Sequence, residues 1–176
     1  MSDELRVKQG VIRIAVGDIT ELPVEGIVYY ARPDLVLGSG FGGVITAQGG
    51  PKIQEELKKF GKANTTDAVI TSGGDLKAKY IFHAVGPRFQ EENLEEKLRS
   101  TMGNVLRKAE EIQIQSLAFP AMGAGFYGIP LEVCARVTLE AARKHLETTA
   151  CIREVFFCLR DAYEHEAFLE HMRKMR

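Results

Sequence analysis

The chain has no tryptophan, only three cysteines and six prolines among 176 residues, and no long apolar run. Cys134, Cys151 and Cys158 form no CxxC pair and have no nearby histidine ligands. Neither a disulfide framework nor a zinc site is therefore suggested. A helix that crosses a bilayer needs roughly 18 or more successive apolar residues, and no segment approaches that. The start, Met1-Ser2-Asp3-Glu4-Leu5-Arg6, is too polar for a secretory signal, so a reduced, cytoplasmic setting without membrane contact is expected. An excess of charge is missing too. With 23 basic and 24 acidic side chains the net charge is −1, and bulk binding of nucleic acid through charge is not indicated.

What remains is an ordinary globular composition, 45% apolar and 27% charged. A chain of this length can bury on the order of 70% of its extended surface without a metal or disulfide. We find no internal repeat, low-complexity tract or linker, and residues 1–176 read as a single domain.

Hydrophobic period predicts the elements. Alternation over Leu5 to Val16, with a turn at Gly10, and the β-rich run Gly26 to Ala31 predict strands. Helical spacing follows over Val44 to Phe60, kinked or restarted at Gly49-Gly50-Pro51. Ala68 to Thr71 and Tyr80 to Val85 predict two strands, Asn93 to Ile114 a helix, and Ser116 to Phe119 a buried strand. Leu131 to Leu146 reads as a helix, Glu154 to Leu159 as a strand, and Ala162 to Met175 as an amphipathic helix. Such alternation implies a sheet covered by helices on both faces, with ligands bound at loops beyond the strand ends.

Two glycine-rich stretches carry the chemistry. The first is Gly38-Ser-Gly-Phe-Gly-Gly43. The second follows the strand at Ser116 and contains Gly123, Gly125 and Gly128. Turns poor in side chains can aim several N–H groups at one anion, and a helix N-terminus nearby adds a favourable dipole. Taken alone, each is also compatible with a plain strand-to-helix connection.

Five segments in this order resemble the macro domain family: Gly17-Asp-Ile-Thr20, Val24-Glu-Gly-Ile-Val28, Gly38 to Ile45, Lys79-Tyr-Ile-Phe-His-Ala-Val-Gly-Pro87, and Phe119-Pro-Ala-Met-Gly-Ala-Gly-Phe-Tyr-Gly128. The resemblance covers nearly the whole chain. It implies a three-layer α/β/α sandwich around a mixed central sheet, with a cleft for ADP-ribose or ADP-ribosylated protein. By the same resemblance Asp18 would accept from the adenine amino group and Ile19 would donate from its backbone. Gly40, Phe41, Gly42, Gly43 and Val44 would flank the diphosphate and distal ribose on one side. Ala121, Gly123, Ala124, Gly125, Phe126 and Tyr127 would flank them on the other, with Phe126 and Tyr127 as an apolar wall. No cofactor or metal is implied.

Three departures bear on activity. Active relatives carry an Asn-Ala-Ala-Asn run where this chain has Tyr29-Tyr30-Ala31-Arg32. Arginine has no acceptor and cannot reproduce the amide's contact to a ribose hydroxyl, although it could reach a phosphate or the ligand's distal end. Where hydrolytic members have a valine and an acid in the first loop, this chain has Phe41-Gly42, and the nearest acid, Asp34, reads as a turn residue after Pro33. Arg160 stands where some relatives place an aromatic ring over adenine, and could stack on the base or lie in solvent. His83, in an apolar strand run, reads as structural.

No catalytic residue is therefore assigned, and ADP-ribose binding with little or no hydrolysis is expected. The alternatives are an ADP-ribosyl hydrolase, or a phosphatase or deacetylase of ADP-ribose derivatives, using substrate-assisted chemistry. A further alternative is a degenerate fold serving as an interaction module, with Tyr29 or Tyr30 filling part of the cleft.

Overall fold

The computed structural model describes residues 3–176; Met1 and Ser2, the first residues of the polar start, lie outside it. The chain runs β1 (Glu4–Val7), β2 (Gly10–Val16), a single 3-10 turn (Ile19–Glu21), β3 (Gly26–Tyr30), α1 (Phe41–Gly49), α2 (Lys52–Lys58), β4 (Ala68–Ser72) and β5 (Tyr80–Ala84). It continues with α3 (Leu94–Glu111), β6 (Ser116–Phe119), α4 (Leu131–Leu146), β7 (Glu154–Leu159) and α5 (Ala162–Lys174).

The strands form one sheet in the order β1-β2-β7-β6-β3-β5-β4. From β2 to β5 all neighbours are parallel, while β1 and β4 close the two edges antiparallel. The mixed sheet implied by the resemblance is thus present. The β1–β2 turn is centred on Lys8 and Gln9, with Lys8 at φ 54° and Val7 opposite Gly10. Gly10 opens β2 and does not form the turn itself.

Side-chain alternation along the central strands feeds two cores. Val28, Phe82, Leu117, Phe119, Val155 and Phe157 face a core shared with α3, α4 and α5. Ile27, Ile81, Ala118 and Cys158 face the other, closed by Ile45 of α1 and by Ile53 and Leu57 of α2. Helix α3 buries Leu98, Met102, Val105, Leu106 and Ala109, spaced so that they share one face.

The helical stretch expected over Val44 to Phe60, kinked or restarted at Gly49-Gly50-Pro51, is restarted there as two helices, and the first begins three residues early. Gly50, at φ 83°, ends α1, and Pro51 caps α2. Gly49 is closely packed there: a Cβ would lie 2.3 Å from the Ile53 Cδ1 atom, which would have to shift. The early start follows from tertiary packing of the Gly38–Gly43 stretch, which local propensity alone would leave as loop.

Candidate functional site

The parallel strands β2, β3, β5, β6 and β7 all point the same way, so the segments leaving them gather at one edge of the sheet. Asp18 follows β2, Arg32 follows β3, Arg88 follows β5, the second glycine turn follows β6 and Arg160 follows β7.

Asp18 is exposed, and its Oδ1 accepts from the Thr20 N–H (2.9 Å) and hydroxyl (2.7 Å), capping the 3-10 turn. Its second carboxylate oxygen takes no bond among the described residues. Ile19 is buried beside it. Next door, the Gly17 N–H donates to the Leu159 carbonyl (3.1 Å), which joins the tips of β2 and β7.

The first glycine stretch is largely a helix start. Gly40, at φ 62°, is the N-cap of α1 and offers no capping side chain, so Phe41, Gly42 and Gly43 form an uncapped first turn. Gly42 is locked in place: a Cβ there would lie 1.7 Å from the Leu37 carbonyl oxygen and 2.7 Å from the Tyr29 hydroxyl. Val44 belongs to the helix and its N–H is already bonded to the Gly40 carbonyl (3.2 Å), so it offers no donor.

In the second turn Ala124, Gly128 and Ile129 spend their N–H groups on internal carbonyls, whereas those of Gly125, Phe126 and Tyr127 have no acceptor among the described residues. Gly123, at φ 77°, sits against Ile129 and the Tyr30 ring. Ala121 is half-buried against the larger core. Phe126 is 93% exposed, an apolar face open to solvent.

Tyr29 and Tyr30, one of which fills part of the cleft in the degenerate-fold alternative, each pack beneath a glycine segment. Tyr29 packs on Phe41 (5.7 Å between ring centroids) and donates to the Leu37 carbonyl (3.2 Å). Tyr30 packs under Tyr127 (4.9 Å) and donates to the Pro87 carbonyl, and burial pushes its phenol far above the ordinary range. Beyond them is a cavity of about 400 Å³ lined by Arg32, Arg88, Phe126 and Tyr127. Arg32 also reaches the first segment, its Nη1 lying 3.5 Å from where a Cβ on Gly38 would be. Arg32 thus connects the first glycine segment with the cavity that Phe126 and Tyr127 line.

Arg32 is held by Asp34 (2.6 Å), which also accepts from the Val36 N–H (3.0 Å). Arg88, absent from the residues singled out above, lies with Arg32 near the Tyr127 phenol. Burial raises that phenol's pKa while the two guanidinium groups pull it down. The only sequence signal for Arg88 was its place directly after Gly86-Pro87. The segment it heads is tied to the second turn, because the Phe89 N–H donates to the Tyr127 carbonyl (3.0 Å). Arg160 lies against Gly125 and pairs with Glu164, a residue that sequence reasoning also missed.

His83 is buried with its Nε2 on the Thr71 hydroxyl (2.9 Å) and its Nδ1 without a partner among the described residues. It is thus only half satisfied. Burial pulls its pKa down to about 3, so the native state holds it neutral while the unfolded chain protonates it below about 6.5. The unfolded state therefore binds more protons between those values, and stability falls as pH drops through that window. Urea denaturation of wild type should lose about 1.4 kcal/mol per pH unit there relative to His83→Gln. Parallel profiles for the two proteins would refute a neutral buried histidine.

Comparison with known proteins agrees with this architecture. Residues 31–138 match the family described as "Macro domain". A macro domain-containing protein of Caldanaerobacter subterraneus is 39% identical over 166 residues, spanning 89% of this chain and 93% of that one. Among solved structures, the Oceanobacillus iheyensis macrodomain with ADP superposes at a TM-score of 0.93 with 25% identity, covering 98% of this chain and 95% of that chain. The Trypanosoma brucei macrodomain in complex with ADP-ribose superposes at 0.86 with 26% identity, covering 92% of this chain and 68% of its own. From strand order to glycine segments and sequence match, this chain belongs to the macro domain family.

Proposed function

We propose that the chain binds ADP-ribose, free or attached to a protein, along the strand-tip edge, and hydrolyses it little or not at all. One observation carries the reading. The turn at Gly125 to Tyr127, with unspent N–H groups, contributes Phe126 and Tyr127 to a cavity that Arg32 also lines, and Arg32 lies beside Gly38, just ahead of the uncapped start of α1. Hydrogen bonds from such donors to a phosphate are charge-assisted, about 1.5–3 kcal/mol each. Asp18, with a free carboxylate oxygen, stands at the far end of the edge for the adenine amino group, and Ile19 for a ring nitrogen. The Oceanobacillus iheyensis macrodomain with ADP and the Trypanosoma brucei macrodomain in complex with ADP-ribose lend this ligand class weight.

General acid–base catalysis needs a titratable group within reach of the reacting atoms. The cavity is lined by Arg32, Arg88, Phe126 and Tyr127; burial raises the Tyr127 phenol above its ordinary value, and Asp34, the acid paired with Arg32, is engaged by it and by a backbone N–H. Calorimetry should give an ADP-ribose Kd below about 100 μM, about −5.5 kcal/mol, and a mono-ADP-ribosylated protein should be left intact. No heat at millimolar ligand would overturn the binding reading. Steady release of free ADP-ribose, lost in Gly125→Val, would replace it with the hydrolase alternative.

A further inference from the structure

Resting on that reading of the cleft, we propose that Glu164 holds Arg160 across the second glycine turn so that the guanidinium clamps the pyrophosphate, making Arg160 a charge-selecting residue and Glu164 its positioning residue. The Glu164 side chain is 4% exposed, that of Arg160 70%. A carboxylate so deeply buried requires pairing, and both its oxygens are spent on one neighbour. Oε1 accepts from Arg160 Nε (2.7 Å) and forms an ion pair with Nη2 (2.7 Å), and Oε2 accepts from the Arg160 backbone N–H (2.9 Å).

Three contacts from one carboxylate fix the orientation of an otherwise exposed side chain. They leave Nη1 without a partner among the described residues. The two terminal nitrogens lie 3.3 and 3.4 Å from the point a Cβ on Gly125 would occupy, so the guanidinium rests on a bare α-carbon. The next N–H groups along, those of Gly125, Phe126 and Tyr127, are the ones without acceptors. A free guanidinium N–H₂ thus lies beside the residue at which a run of unspent main-chain donors begins. That set suits a diphosphate, which is anionic and rich in acceptors, better than the face of a base.

A plainer role exists for Glu164. Asp161 caps α5 through the Glu164 N–H (2.9 Å), and a glutamate at that position ordinarily reaches back to the capping residue's own N–H. Here it reaches one residue further, to Arg160. A capping role alone would change stability and leave ligand affinity untouched.

The test is calorimetry of the full chain with ADP-ribose at low and high salt, on wild type, Arg160→Ala, Arg160→Lys, Glu164→Gln and the double variant. Arg160→Ala should weaken binding about tenfold at about 0.05 M salt and less at about 0.5 M, where an exposed charge contact is screened. Lysine should not restore it, because one ammonium cannot hold Glu164 and reach a phosphate together. Glu164→Gln removes a negative charge beside an anion site, so bare electrostatics would tighten binding. Positioning requires weakening, and the double variant should be no worse than Arg160→Ala. Wild-type affinity in Arg160→Ala, or an equal loss at both salts as expected for stacking on the base, would overturn the clamp. Tighter binding in Glu164→Gln would overturn the positioning. If wild type takes up no ADP-ribose, this inference and the proposed function fail together; if wild type binds and only the variants disagree, the proposed function survives.

Discussion

Replacing Gly42 by alanine is expected to destabilise the protein by about 3 kcal/mol, an overpacking cost, and to lower its thermal midpoint by about 6–12 °C for a chain of this size. The position is helical, and in an open helix alanine would help by up to about 1 kcal/mol. Sterics decide the sign. The new methyl would sit 1.7 Å from the Leu37 carbonyl oxygen, the same oxygen that the Tyr29 hydroxyl donates to. Either the helix start or the Leu37 peptide must move, and Tyr29 loses its acceptor. Gly43, one residue on, is the control: a Cβ there would be 3.5 Å from the nearest atom, the Gly38 carbonyl oxygen, an ordinary contact. Differential scanning calorimetry should show Gly43→Ala near wild type. A Gly42→Ala midpoint within about 2 °C of wild type would mean that this close approach does not hold the loop.

The second large effect concerns ligand affinity with the fold left intact. Asp18→Asn should weaken ADP-ribose binding about 10–100-fold, the loss of one hydrogen bond to a charged group and its replacement by a repelling donor. Asparagine keeps an oxygen for the Thr20 N–H and hydroxyl, bonded at 2.9 and 2.7 Å in wild type. What changes is the outward oxygen, which becomes an amide N–H₂ facing the base's own amino group. Thermal stability should hardly move. Asp18→Ala should lose the affinity and, in addition, about 1 kcal/mol of capping. Calorimetry and thermal denaturation on the pair separate the roles, and an Asn variant that binds like wild type would remove Asp18 from the ligand.

Most elements were legible because strand and helix periods alternate cleanly along the chain. The run from Ser116 to Phe119 and the α3 stripe from Leu98 to Ala109 needed no tertiary knowledge. Strand order was not legible from the residues alone, since β2 pairs with β7 across more than a hundred residues and nothing local encodes that partner. The glycine segments were visible as sequence. The helix start inside the first was not, because glycine has poor helix propensity and it is the fit of Gly42 against Leu37 that brings the chain into register. Tyr29 and Tyr30 raised the prospect of blockage only because side-chain direction is unreadable from bulk. Once β3 is placed, alternation sends one ring under each glycine segment. Arg88 and Glu164 escaped notice for a shared reason: each matters through a neighbour from another part of the site, Tyr127 for one and Arg160 for the other.

Because the two cores lie beneath the strand tips, foundation and rim answer to different demands. Residues such as Arg32 and Phe126 stand half or almost wholly in water, so exchanging them leaves the buried framework nearly untouched. A lineage carrying this scaffold can therefore try new ligand chemistries one rim position at a time without first acquiring spare stability. Gly42, wedged against a main-chain oxygen, is the point at which that freedom stops.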